Sequence, residues 1–166
     1  MKFSWINPMN KKEEEEMKKF IVCLYDEFVK WGDDDRFIDH VLSSSIREIT
    51  RIIGECKNLC ISLKAKKYFV NCKTFYDYQT AVKKNSNKLI KEHFYPVKDF
   101  LDEFRKKKKE GKQFTRKDAE RWLNDSTIAY ITKDEDALLR NEFGNKRYRP
   151  PSSYEKIGIK LEKAKL

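Results

Sequence analysis

From Lys11 to Trp31, apolar side chains recur at Met17, Phe20, Ile21, Leu24, Phe28 and Trp31. Steps of three and four lay one stripe along a helix, so the spacing predicts a helix over 11–31. Gly32 and the run Asp33, Asp34 and Asp35 interrupt the stripe, and those acids suit the N-terminus of a following helix. The next face is longer. Phe37, Ile38, Val41, Leu42, Ile46, Ile49, Ile53 and Cys56 keep one side apolar for five turns, predicting a helix over 36–56 that ends near Gly54 or Asn58. A third stripe runs from Phe75 through Tyr78, Val82, Leu89 and Ile90 to Phe100, Leu101 and Phe104. Pro96 kinks or restarts it, because proline is tolerated only at a first helical turn.

Shorter helices are marked by their caps. Thr74 with Asp77, Thr115 with Asp118, Thr132 with Glu135 and Ser152 with Glu155 have the spacing at which an N-cap hydroxyl and an acidic side chain satisfy each other's backbone donors. They open helices over 75–104, 116–124, 133–142 and a last short one beyond 152. The stretch LCISLKAKKYFVNC, residues 59–72, instead alternates apolar and polar positions and reads as a small hairpin or irregular segment. The expectation is an all-α or mostly α fold of six or seven helices, with room for a short β-hairpin near 59–72. Its core is expected to hold Phe20, Leu24, Phe28, Val41, Ile46, Ile49, Ile53, Phe100 and Phe104, with Trp122, Leu123, Leu138 and Ile157 packing across one end. Residues 1–144 form one helical domain in this reading, and 145–166 a basic loop, a short helix and a tail.

Composition agrees. Five glycines and four prolines among 166 residues are too few for a chain of many β-turns. The 39% hydrophobic and 13% aromatic content is enough to offset the entropy of ordering. Charge changes the picture more. Lys and Arg number 37 against 27 Asp and Glu, a formal net charge of +10. Residues 1–60 carry a small negative balance, so the whole excess falls on residues 61–166. A polyanion is therefore expected to dock on the later part of the chain.

The densest cations follow Phe104. Lys106, Lys107, Lys108 and Lys109 end a predicted helix, where they also complement the negative end of its dipole. Lys112, Arg116 and Arg121 follow, and Lys146, Arg147, Tyr148 and Arg149 place three cations around a ring. Lys and Arg with interleaved tyrosine suit phosphate contact and base stacking, and the planar guanidinium favours Arg for bidentate contacts. The segment between the helices at 116–124 and 133–142 is too long for a helix-turn-helix. The second helix also opens with acids that would repel phosphates. Backbone or shape readout of DNA or RNA is thus expected, rather than base reading.

Other constellations favour structure over chemistry. Cys56 and Cys60, with Cys72 further on, lack the two tight ligand pairs of a structural zinc site. Their spacing fits buried thiols on one helical face. Asp33–Asp35 with Asp39 and His40 are contiguous, whereas Mg²⁺ carboxylates converge from separate elements. The glycines stand alone, so no phosphate loop, and no nucleotide or metal cofactor, is expected. No apolar leader opens the chain and no stretch nears the ~18 apolar residues of a membrane span; a cytoplasmic protein with reduced thiols is expected. Three function classes fit: a small basic nucleic-acid-binding protein; a protein-interaction module, such as an inhibitor or accessory subunit docking on an acidic partner or a nucleic-acid-bound complex; and a basic nuclease or toxin. The first suits the cation clusters best. The lysine-rich composition with many short capped helices has a phage or mobile-element character.

Overall fold

The computed structural model describes residues 9–31, 36–57, 59–144 and 149–164. Among these the fold is mostly helical, with helices α1 (Lys11–Lys30), α2 (Arg36–Cys56), α3 (Phe75–Lys84), α4 (Val97–Lys109), α5 (Arg116–Asp125), α6 (Lys133–Phe143) and α7 (Pro151–Lys156). Four short strands accompany them: β1 (Leu59–Ser62), β2 (Leu89–His93), β3 (Ile128–Thr132) and β4 (Leu161–Lys163).

Helices α1, α2, α4 and α5 form one half of the molecule, with α1 against α5 and α2 against α4. Their inner faces bury Ile21, Tyr25, Phe28, Leu42, Ile46, Ile49, Ile53, Phe100, Phe104 and Trp122. Rings dominate this core. The Phe100 and Trp122 centroids are 4.6 Å apart and stacked, and Phe104 meets Trp122 edge-on at 5.5 Å. Burying an indole requires a partner for its N–H: Trp122 Nε1 donates to Thr50 Oγ1 at 3.2 Å, and that hydroxyl donates to Ile46 O at 2.8 Å. Tyr25 similarly donates its hydroxyl to Lys112 O at 2.6 Å, fixing the turn after α4 to α1.

The sheet forms the other half, in the order β2-β3-β1-β4. β1 and β3 are parallel, pairing Leu59 with Ile128 and Ile61 with Tyr130. β2 lies antiparallel on β3, and β4 antiparallel on β1. Alternation along the strands serves two cores. Leu59, Ile61, Ile128 and Tyr130 face Phe69 and Tyr78 of the segment around α3. Ala129 and Ile131 face Leu139 of α6 and Tyr154 of α7. β3 is covered on both faces, which is why its sequence IAYI is a continuous apolar run. Gly54, inside α2, marks where the halves meet. A Cβ there would stand 2.6 Å from the Ile128 side chain and 2.9 Å from Ser126 O, so the close approach of α2 to β3 needs glycine despite its cost in a helix.

The helices at 11–31, 36–56, 116–124 and 133–142 lie as the periodicity predicts, within a residue at each end. The capping boxes at Thr74, Thr115 and Thr132 form in both directions. Three expectations are corrected. The stretch 59–72 is not a hairpin: only 59–62 is extended, its partners come from β3 and β4, and Lys66–Tyr68 is a 3-10 turn. The long helix expected over 75–104 is broken by strand β2, and 128–132 and 161–163 are strands. The last helix starts at Pro151 with no side-chain cap from Ser152. Of the expected core, Phe20 is 53% and Leu138 45% exposed, because each lies one step off the buried stripe of its helix.

Candidate nucleic-acid interface

The lysines that end α4 are not an open patch. Lys107 Nζ lies 3.0 Å from Asp118 Oδ2 and 5.5 Å from the centre of the Phe114 ring. Lys108 donates to Trp31 O at 2.6 Å and stands 4.6 Å over the Phe28 ring. Both therefore close the α1–α4–α5 corner. Further along, Lys112 pairs with Glu110 at 2.8 Å, Arg116 with Glu15, and Arg121 with Glu103. Asp118 is the hub of this corner. Burial alone would raise its carboxyl, but hydrogen bonds from Thr115 and the Lys107 ammonium hold it below the usual carboxylate range. Lys106 and Lys109 remain exposed, in no ion pair with a described residue.

The second expected cluster divides differently. Lys146, Arg147 and Tyr148 lie outside the described residues. Arg149 is a correction. It is 7% exposed, with Nη1 2.9 Å from Glu92 Oε1 and 3.5 Å from Asp136 Oδ1, and it donates to Gly144 O at 3.2 Å. Its guanidinium ties β2 to α6 from inside and is not available at the surface.

Uncompensated cations gather elsewhere, at one edge of the sheet. Because β1 and β3 are parallel, both end at that edge, and β2, antiparallel to β3, begins there with Leu89 opposite Thr132. The edge is held by a buried network. The Glu135 carboxylate accepts from Thr132 N at 2.9 Å, from Thr132 Oγ1 at 3.0 Å and from Ser62 Oγ at 2.6 Å. Ser62 Oγ in turn accepts from Ala65 N at 3.1 Å. Lys133 N donates to Lys88 O at 2.9 Å, joining the start of α6 to the start of β2. The ends of three strands are thereby fixed around a cleft of about 470 Å³.

Lys64, Lys67, Lys88 and Lys133 line this cleft beside Tyr68 and Asn87. All four lysines are exposed, and none is in an ion pair with a described residue. One acid, Asp134, shares the lining. Two of the ammonium groups flank the tyrosine ring, Lys67 at 5.3 Å and Lys88 at 6.0 Å from its centre. Clefts beyond the carboxyl ends of parallel strands are favoured ligand positions in α/β sheets, and four convergent cations give this one affinity for a multiply charged anion.

The thiols of Cys56, Cys60 and Cys72 and the imidazole of His93 look inward. Burial pushes the Cys56 thiol up to about 11 and raises Cys60 and Cys72 as well. Cys56 ends α2 and Cys60 lies on β1, so they do not share a helical face. His93 on β2 is held near 4 by burial, with Lys91 and Arg47 adding to the effect. His40 is exposed, and the Asp33–Asp35 run lies outside the described residues. Among the described residues no group of three or more His, Cys, Asp or Glu side chains is arranged to hold a metal ion, and no helix is long and apolar enough to cross a membrane. No protein-family model matches this chain, and no curated protein or solved structure matches it significantly.

Proposed function

We propose that this is a small basic nucleic-acid-binding protein that grips the phosphate backbone through the lysine cleft at the sheet edge. The observation that carries this reading is the convergence of Lys64, Lys67, Lys88 and Lys133 on one concave surface with no ion-pair partner among the described residues. Phosphates entering the cleft release counterions from the polyanion without first breaking ion pairs in the protein, whereas contacts at the α4–α5 corner would compete with Asp118, Glu103 and Glu15. Helix α6 opens with Asp134, Glu135 and Asp136, which would repel phosphates in a groove, so the affinity is for backbone charge and shape. Lys106 and Lys109 extend the positive field without anchoring it.

The test is a salt titration of binding to mixed-sequence RNA and DNA. Neutralising four phosphates corresponds to a slope of about −3 in log affinity against log salt. An affinity that stays flat from low to high salt removes the reading.

A second reading, docking on a protein, is favoured by one feature. Phe20 is 53% exposed and, with Met17 on α1 and Met9 just before it, forms an apolar hollow of about 440 Å³, and apolar patches of this kind mark contact surfaces. Stoichiometric co-elution with a protein after nuclease treatment favours it over the first.

A further inference from the structure

We infer that the ligand of the lysine cleft is a single-stranded polynucleotide, whose bases leave the cleft across Tyr68 and stack towards Tyr76. This rests on the nucleic-acid reading above and narrows it. Lys67 and Tyr68 line the cleft and also a second hollow of about 400 Å³, which continues around them to Tyr76 and Lys84. The two hollows share Lys67 and Tyr68 as a common wall, over which a strand would pass from one to the other as along a track.

Four properties of the track select a single strand. It is concave, and the phosphates of a rigid duplex do not follow a cleft bounded by three strand ends, whereas a flexible strand does. Cations run its length: Lys133, Lys88, Lys64 and Lys67 in the first hollow, then Lys84 in the second, none in an ion pair with a described residue. Acids are few and one is already occupied, since Asp77 accepts from the backbone N–H groups of Lys73 and Thr74, leaving Asp134 at the other end. Two rings interleave with the cations. Tyr76 is 73% exposed because it lies off the buried face of α3, which is set by Tyr78. Among the described residues no hydrogen bond or ring contact engages its side chain. Val70, 78% exposed in the same hollow, adds apolar surface for a base to cover.

Base stacking separates this inference from simple attraction to charge. Fluorescence anisotropy of the full chain, at one salt concentration, compares a labelled oligo-dT 12-mer, an abasic 12-mer with the same phosphates, and a 12-base-pair duplex. The oligo-dT is expected to bind about 5- to 100-fold more tightly than the abasic strand and more tightly than the duplex. Tyr76→Ala, at a position exposed enough to leave the fold intact, is expected to remove most of the difference between oligo-dT and the abasic strand. Tyr68→Leu, which keeps an apolar side chain against the sheet, is expected to remove the rest. Equal binding of oligo-dT and abasic strands, or tighter binding of the duplex, overturns the single-strand inference. If binding in that case is still lost on Lys67→Glu/Lys88→Glu substitution, the backbone-binding reading survives alone. Absence of binding to all three probes by a folded sample overturns both.

Discussion

The α4–α5 corner and the sheet-edge cleft are both rich in lysine, yet they use it in opposite ways. At the corner most cations, Lys106 and Lys109 excepted, have a structural task. Lys107 neutralises Asp118, Lys108 caps the end of α1, and Arg121 pairs with Glu103. In the cleft, four cations from three separate stretches of sequence converge, and Asp134 is the one acid in the lining. The contrast teaches that local charge density is a poor guide to a binding surface. The run of lysines at the end of α4 meets the helix dipole and the acids and carbonyls that neighbouring helices bring to it, such as Asp118 and Trp31 O. The strand ends bring the cleft one acid, Asp134.

The sharpest way to test this division is to compare what each cation does for stability with what it does for binding. Arg149 is the extreme of internal use, and its replacement by Ala leaves the partly buried Glu92 without its partner and the buried Asp136 with Arg140 alone. The expected loss is about 3–5 kcal/mol in urea denaturation, with no such loss for Lys64→Ala. An Arg149→Ala variant of normal stability would mean that the internal pairs are incidental. His93 gives a second case, a cation that burial refuses. Unfolded imidazole takes up a proton near 6.5 and the folded one only near 4, so between those values the unfolded state binds more protons. Stability should therefore fall as pH drops from about 6.5 to about 4, by up to about 3 kcal/mol. Glu92 works in the opposite direction: burial raises its carboxyl, so its contribution weakens as pH rises above the usual carboxylate value. His93→Phe isolates the histidine share, and an unchanged acid limb in that variant would show that the imidazole is solvated.

Smaller effects bear on the surface. Lys67→Glu/Lys88→Glu should weaken polynucleotide binding about 10- to 100-fold and flatten its salt dependence, while Lys106→Glu/Lys109→Glu should change it less than about threefold. The reverse ranking would return the binding surface to the corner. Smallest of all, Arg121→Ala should cost about 0–1 kcal/mol, as half-exposed ion pairs do. Lys64→Ala should move the urea midpoint by less than about 0.5 kcal/mol.

Much of the helical half was legible in the sequence. The stripes of α1 and α2 are long enough for the 3.6-residue period to stand out, and the hydroxyl–acid caps at Thr74, Thr115 and Thr132 placed helix starts to the residue. The sheet was not legible, because its strands are three to five residues long. IAYIT is too short to distinguish from a buried turn of helix, and LIKEH continues the apolar spacing of α3 well enough to pass for more helix. The cleft was hidden for a related reason. Lys64 and Lys67, Lys88, and Lys133 lie far apart in the chain, and only the parallel pairing of β1 with β3 brings them to one edge. Arg149 misled in the other direction: its neighbours make it read as a basic tail, and nothing local announces Glu92 and Asp136.

That parallel pairing also dictates the order in which the molecule can assemble. β1 takes both of its neighbours from much later segments, 128–132 and 161–163. Until those have been synthesised, a nascent chain holds LCIS with both hydrogen-bonding edges open, the condition under which strands recruit foreign partners. Ribosome-bound or truncated forms ending before residue 128 should therefore depend on chaperones, and refolding should be slower than the high helix content suggests, since distant contacts must close first.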